Sequence, residues 1–579
     1  MGKYWYSYLE ILIISFAGDG MKISGAAIVV NCLIEQGVDI VFGYPGVSIL
    51  AVYDELYKNK KSIRHILSAH EQGAAHAADG YARSTGKVGV CLATSGPGAT
   101  NLVTGIAAAF MDSSPVVFIT CNVDDDLLGR DAFQEVDIVG ISMPITKCSY
   151  LVDSPDEIAD TMREAFAIAA GGRPGPVLID ITHNATVEKA EYEFLPKNKH
   201  INCGRLSRMH RRGDMGLRRE EFRDEDIRIL AEMVSAARKP LIMVGGGVVR
   251  SDASDAVAAF SGSRNIPVVS TLMGIGVMKN TDRHYFGMVG SYGCSAANYA
   301  VQSCDLLLAV GVRFSDRLTG KVEHFAPNAR IIHIDIDRSE IDKNVDSVHH
   351  VVGDAREIVE SLSTVCGIPD VSVEWFEKLK TIKENTCEKL SFPIEIIRSI
   401  NRYCPEAIIA TDVGQHQIWT CRNFDFSNPG QLITSGGYGA MGFGLGAAIG
   451  AKAGNPEKNV IHITGDGSFG MNFNELSTAS REKLPVITII FNNSALGLVR
   501  QNQRLHYGRR YSQTNLPAAV DYMGIAAAFG VDFVCAENEQ QFEEAIKSLL
   551  TGKKGGIIEC IIDKDEYIKP MLEKGRLIY

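Results

Sequence analysis

Tryptophan is nearly absent from this chain of 579 residues, which has three, and its thirteen cysteines follow no pairing pattern. The closest two are Cys294 and Cys304, no CxxC occurs, and no His/Cys cluster has zinc spacing. This excludes a disulfide scaffold and reads instead as the reduced thiols of a cytoplasmic protein. Basic excess is also missing: the net charge of −11 argues against a nucleic-acid partner. Hydrophobic content of 46% with 22% charged residues is that of an ordinary globular protein, and the length predicts three or four domains. The apolar stretch from Tyr4 to Phe16 is too short to span a bilayer. Interrupted by Glu10 and preceded only by Lys3, it makes a poor export signal. Met21 reads as the natural beginning, and residues 1–20 as an extension that is not native.

After that extension, helical stretches alternate with short β-rich runs such as Val88–Ala93, Pro115–Thr120, Leu241–Val244, Asp305–Val310, Arg330–Ile334 and Ala407–Ala410. The alternation predicts an α/β fold of three doubly wound parallel-sheet domains. They are expected at residues 21–190, 225–365 and 393–579. A basic, apolar-poor linker, with Arg205, Arg208, Arg211, Arg212, Arg218 and Arg219, occupies 191–224. A helical, polar connection over the surface occupies 366–392. Three similar units suggest duplication of one fold.

The most informative stretch is Gly465-Asp466-Gly467-Ser468-Phe469-Gly470, entered from the run Asn459–Thr464 and answered by Asn492-Asn493 after Pro485–Phe491. The 27 residues from Asp466 to Asn493 are about what one strand end, a crossover helix and a second parallel strand require. Both side chains then reach the carboxyl edge of one sheet, where open α/β sheets bind ligands. One carboxylate and one amide oxygen suit magnesium that carries a diphosphate. Gly465, Gly467 and Gly470 also spell GxGxxG, but a dinucleotide site needs an acidic residue about 20 positions on, where this chain has Asn492-Asn493. A second stretch, His70-Glu71-Gln72-Gly73-Ala74-Ala75-His76, opens an Ala-rich helical segment and is not the HExxH zinc motif. A Glu in a first helical turn is usually only dipole-stabilised.

Taken together, these stretches resemble the thiamine-diphosphate-dependent 2-keto-acid enzymes, most closely the catalytic subunits of the acetohydroxyacid (acetolactate) synthase family. The likeness covers nearly everything after Met21. It is carried by Phe42–Gly46, His70–Gly73, Thr94–Asn101, Ala132–Glu135, Gly172–Pro176, Thr271–Gly274, Gly311–Phe314, Asp412–Gln417 and Gly465–Asn493.

The resemblance implies a pyrimidine-binding first domain, a central domain like the flavin-binding ones, and a third domain for the diphosphate and magnesium. Asp466, Asn493 and the carbonyl of Ala495 would hold the metal. The thiamine contacts would be Pro45, Glu71, Pro97, Asn101, Val413, Gln415, His416, Gly439, Met441, Gly465, Gly467, Ser468, Leu496 and Gly497. Glu71, Gln134 and Met441 would be catalytic: Glu71 as the proton partner of the pyrimidine ring, and Met441 as the apolar support that bends the cofactor. FAD, structural in this family, would meet Arg173, Gly245, Gly246, Gly247, Thr271, Leu272, Arg313, Asp335, Ile336 and Asp354, although the glycines also suit a tight turn and Asp335 a helix cap. Val47, Phe133, Lys147 and Asn502 would line the substrate.

The implied reaction joins two pyruvates, or pyruvate and 2-ketobutyrate, with loss of carbon dioxide, the first common step of branched-chain amino-acid synthesis. The implied assembly is a homodimer or homotetramer with shared sites, and family members pair with a small regulatory subunit. An FAD-dependent pyruvate oxidase, or another carboligase or C–C lyase with an unusual acceptor, is the alternative. Val47 follows Gly46 where Gly-Gly is usual, His183 stands for a Lys, Tyr292 for a His, and Asn502 for a Trp. Loss of that Trp predicts acetolactate as the main product.

Overall fold

Near-continuous runs of β-branched and aliphatic residues, such as Val116–Cys121 and Ile487–Asn492, form strands covered on both faces. That is how parallel strands read when helices lie on both sides of their sheet. The computed structural model describes residues 21–195, 209–211, 222–365, 371–386, 390–516, 520–552 and 554–579. The extension at 1–20 and most of the basic segment, including Arg205, Arg208, Arg212, Arg218 and Arg219, lie outside the described residues.

Three large sheets result, as expected, but they are not three copies of one topology. In the first, the strands run in the order Arg64–Leu67, Ile40–Gly43, Gly89–Thr94, Val116–Cys121, Val177–Ile181, Cys148–Val152. The third has Leu432–Thr434, Ile408–Thr411, Val460–Gly465, Ile487–Asn492, Gly556–Ile561, Asp532–Ala536. Numbered within each domain, both read 2-1-3-4-6-5, with every one of these neighbours parallel. The central sheet, Tyr285–Met288, Val268–Ser270, Pro240–Val244, Leu306–Val310, Arg330–Asp335, His349–Val352, reads 3-2-1-4-5-6, the order of dinucleotide-binding sheets. Duplication therefore describes the outer two domains, and the middle one is wound differently.

Regular elements also lie within and beside the segments read as connections. Within the expected linker, Met209–Arg211 adds an antiparallel strand beside Cys148–Val152, and Lys189–Tyr192 pairs with Met21–Ser24. The expected surface connection contains the helix Val373–Asn385, which buries Trp375, Phe376 and Leu379 in the central core. Its Lys and Glu residues disguise that apolar face in the sequence. The last residues return to the central domain as well. Leu577 is buried there, Lys321 N–H donates to the Gly575 carbonyl at 2.9 Å, and Tyr579 packs edge-on against Tyr299.

The outer domains meet along two helices of small residues, Glu71–Thr85 and Phe443–Gly454. Glycine is required here by proximity. A Cβ on Gly450 would fall 1.8 Å from the Ala77 carbonyl oxygen, and one on Gly80 would fall 2.1 Å from that of Ala447. Beside this seam, buried Arg83 donates to Asp79, Asp112 and the Thr434 carbonyl, while Asp112 accepts the amides of Gly436 and Gly437. Each ion is thus paired and hydrogen-bonded, as burial of charge demands.

Gly450→Ala should cost roughly 1–3 kcal/mol, the usual range for overpacking a filled core. Gly470, whose Cβ would meet nothing, is the control. Thermal melting of both variants checks this, and an unshifted Gly450→Ala protein would contradict the seam.

Candidate active site

In both outer sheets the order reverses between strands 1 and 3, and ligand sites of open α/β sheets lie outside the carboxyl ends at such a reversal. In the third domain this places Gln415 and His416, just after Ile408–Thr411, beside Gly465 and Asp466 at the end of Val460–Gly465. Asn493 follows the adjoining strand Ile487–Asn492.

The expected metal residues converge. The buried Asp466 carboxyl lies within reach of the amides of Gly467, Ser494 and Ala495, and burial raises its pKa to about 6. Asn493 accepts the Ala495 amide at 3.1 Å and sits 3.4 Å from Oε1 of Gln415. Gly497 permits that crowding, because a Cβ there would lie 2.0 Å from the same Oε1. His416 is buried and held neutral, its pKa pushed down to about 4 by desolvation. Its Nε2 has no hydrogen-bond partner among the described residues, and its ring stands against the Cα of Gly465. A buried polar atom left unpaired in this way calls for a ligand or water. Met441, Leu496 and Leu516 cluster over Gly467, and Gly439 takes the left-handed conformation (φ 74°) just before Met441. Ser468 is buried in the same turn, and Val413 is half-buried before Gln415.

In the first domain the reversal lies between Ile40–Gly43 and Gly89–Thr94, and the loops that follow these two strands adjoin there. Ser48 and Ser95 hydroxyls join the two loops at 2.8 Å, and a Cβ on Gly46 would strike Thr94. Glu71 is the first residue of its helix, is 9% exposed, and accepts Asn101 Nδ2 at 2.9 Å on Oε2. Its Oε1 faces Gly98, next to Pro97 at the start of a short helical turn. Gln134 adopts φ 62° and packs its backbone on Gly96. Phe133 and Val47, 85% and 74% exposed, stand open on this face. Asn502 is exposed on the helix Gly497–His506 of the third domain, and His183 pairs with Asp124. Tyr292 lends its carbonyl to Arg422.

Lys147 belongs to the expected substrate-lining set. It is 2% exposed and donates its ammonium to the carbonyls of Ile168 and Gly171, so in this chain it ties backbone together.

In the central domain, Gly245–Gly247 after Pro240–Val244 and Gly311–Arg313 after Leu306–Val310 flank the reversal point of the sheet. Cβ atoms on Gly245 and Gly247 would clash with Gly311, so those two glycines serve backbone contact, while Gly246 faces Met273, beside Thr271 and Leu272. Arg173 pairs with Asp337 and Glu340. Arg313 is half-buried nearby, and desolvation and the charge of Arg173 lower its pKa. Asp335 is buried, its pKa raised to about 7, and accepts the Asp337 amide, with Ile336 half-buried between them. The helix cap is Asp354, which accepts the amides of Arg356 and Glu357.

The structure adds residues that the sequence reading passed over. Asp412 accepts His462, Thr464 and the Gly444 amide, and so ties the end of strand 1 to strand 3 and to the start of the helix Phe443–Gly454. It heads the Asp412–Gln417 stretch, which was the available signal. Gln501 takes Gln415 Nε2 at 3.1 Å and bonds both ways to Ile568.

Against known proteins, the chain matches the thiamine pyrophosphate enzyme N-terminal TPP binding domain over residues 23–141, the central domain over 227–362 and the C-terminal TPP binding domain over 412–560. It is 41% identical to a probable acetolactate synthase large subunit of Methanocaldococcus jannaschii, over 96% of this chain and 94% of that one. It is 40% identical to the acetolactate synthase isozyme 2 large subunit of Escherichia coli, over 95% and 98%. With the acetolactate synthase large subunit of Corynebacterium glutamicum the identity is 42%, over 96% and 89%.

Gly497→Ala should displace Gln415 and Asn493 and weaken binding of magnesium pyrophosphate at least ~10-fold, the equivalent of roughly 1.4 kcal/mol. Calorimetry on the folded variant measures this, and wild-type affinity would contradict the crowding described.

Proposed function

This chain belongs to the thiamine pyrophosphate enzymes and, within them, to the acetolactate synthase large-subunit family, and from that premise we propose that it condenses two pyruvates to 2-acetolactate with release of carbon dioxide. The observation that carries the reading is the pair of complementary half-sites, each at the switch point of a 2-1-3-4-6-5 sheet. One presents a carboxylate fixed by an amide, Glu71 with Asn101, and the other a carboxylate and amide placed for a metal diphosphate, Asp466 with Asn493.

Thiamine diphosphate fits this chain. The unpaired Nε2 of His416 and the crowded Gln415, Asn493 and Gly497 make a polar cradle for its diphosphate. Magnesium would be held by Asp466, Asn493 and the Ala495 carbonyl, completing its shell with phosphate oxygen and water. When bound, the cofactor supplies an acidic carbon and an electron sink for decarboxylating a 2-keto acid. The chain's own contribution is positional and electrostatic. Glu71 offers Oε1 for proton exchange while Asn101 anchors Oε2, which keeps the carboxyl at one orientation. Met441, Leu496 and Leu516 form an apolar floor, and the buried carboxylate of Asp466 puts negative charge only where a cation balances it. Phe133, Val47 and Asn502 bound the space left for the acceptor.

FAD is the proposed occupant of the central domain, in a structural role. Its support is the 3-2-1-4-5-6 order and the guanidinium of Arg313, whose charge desolvation disfavours and an anionic diphosphate would balance. Thr271, Leu272, Gly246, Asp335, Ile336 and Asp354 would complete that site. The working unit is proposed to be at least a homodimer, with Glu71 of one chain serving the Asp466 half of the other. Exposed Val47 and Phe133 support a face that a second chain covers. The large-subunit family also implies a small regulatory partner. Among the described residues no helix is long and apolar enough to cross a membrane.

Glu71→Gln should lower turnover roughly 10²- to 10⁴-fold, the usual range for a general acid–base group, and Asn101→Ala roughly 10-fold, one hydrogen bond to a charged group. Both are read by pyruvate consumption, and unchanged turnover in Glu71→Gln would remove its role. Asn502→Trp should raise selectivity for 2-ketobutyrate over pyruvate about 10- to 200-fold, the span of one methylene in a pocket. A wild-type enzyme that already strongly prefers 2-ketobutyrate in competition would contradict the account of the acceptor.

A further inference from the structure

The loop that delivers Glu71 is gripped from the far domain of its own chain. Ala69 and His70, the two residues before Glu71, direct their amides at the carboxylate of Glu475, at 3.2 and 3.0 Å. Thr478 donates to the same carboxylate at 2.7 Å, and the group is 1% exposed. Gly73 makes room for it, because a Cβ there would lie 2.1 Å from Oε1 of Glu475. Two flanking contacts repeat the docking: Arg481 donates to the Leu67 carbonyl, and Arg64 to the Glu482 carbonyl at 2.9 Å. Glu475 ends a continuous segment that begins on Asp466, through the helix Asp466–Asn472 and the turn Phe473–Glu475.

We infer that Glu475 is a positioning residue for Glu71, fixing the start of its helix from the diphosphate domain of the same chain. The inference rests on the shared-site reading above. On that reading, one chain's segment 466–475 starts at the metal of one active site and ends on the loop that serves the other. Glu475 therefore acts on the site that its own Asp466 does not occupy. A carboxylate on the amide of the N-cap His70 also satisfies a donor that the helix leaves free and faces its positive end.

The test uses two-tag hybrid dimers with Glu71→Ala and Glu475→Gln. In trans, with one change on each chain, the one site that keeps Glu71 has lost its Glu475. Turnover should fall about 10-fold below that of a Glu71→Ala/wild-type hybrid, the factor of one charged hydrogen bond. In cis, with both changes on one chain and a wild-type partner, the live site keeps both residues of its Glu71 loop and turnover should match the reference. The reverse pattern, cis impaired and trans normal, would overturn the inference and assign Glu475 to its own metal segment. Equal turnover in all three would overturn it too. A Glu71→Ala/Asp466→Ala hybrid reports on the shared-site reading alone, since it regains a live site only if the halves come from different chains.

A readout without turnover comes from hydrogen exchange in the cofactor-free protein. The Ala69 and His70 amides should exchange about 10-fold faster in Glu475→Gln, and unchanged exchange would contradict the grip. Should that variant not fold, Glu475→Asp keeps the charge one methylene short, and its exchange at these two amides must still exceed wild type.

Discussion

Two helices that touch through glycine and alanine hold this molecule's chemistry in place. At Gly80, Gly446 and Gly450 the backbones of Glu71–Thr85 and Phe443–Gly454 approach so closely that no side chain fits between them. Interiors are close-packed and tolerate little added volume, so this contact fixes the outer domains as one body. The first helix begins on Glu71, and the second follows directly on the Met441 loop. The seam therefore sets the position of both half-sites at once, and the Arg83–Asp112 pair and the Glu475 grip secure its two ends.

Repetition of one topology in the outer domains explains why each supplies a half-site at its sheet reversal. The central domain is wound in another order, and among the described residues the groups named in either half come from the outer domains. It is bound to the body instead through Arg250 on Ser114 and through the C-terminal residues that return to its core. Its reversal point gathers Gly246, Thr271 and Arg313 in a place of its own, which suits a group with a structural task.

Much of this was legible in the sequence where local geometry determines the outcome. Asp466 and Asn493 had to meet because a strand, a crossover and a second strand leave little freedom in 27 residues. Strand order was not legible, since an apolar run marks a strand without naming its neighbours, and so the three units read alike. Trp375 and Phe376 were hidden by the charges of their helix. Lys147 carried no sign that backbone carbonyls would enclose its ammonium. Glu475 has no motif at all, because its partners lie some 405 residues away. A catalytic role for Glu71 follows only from family resemblance, since alone it looks like any acid in a first helical turn.

The central claim is that these half-sites join two keto acids and do not pass electrons onward. Its most direct measurement is the stoichiometry of the purified protein with magnesium, thiamine diphosphate, FAD and pyruvate. Two pyruvates consumed for each carbon dioxide released, with 2-acetolactate as the product and no oxidant used, is the predicted result. Oxygen or quinone reduced one-to-one with pyruvate lost would contradict it.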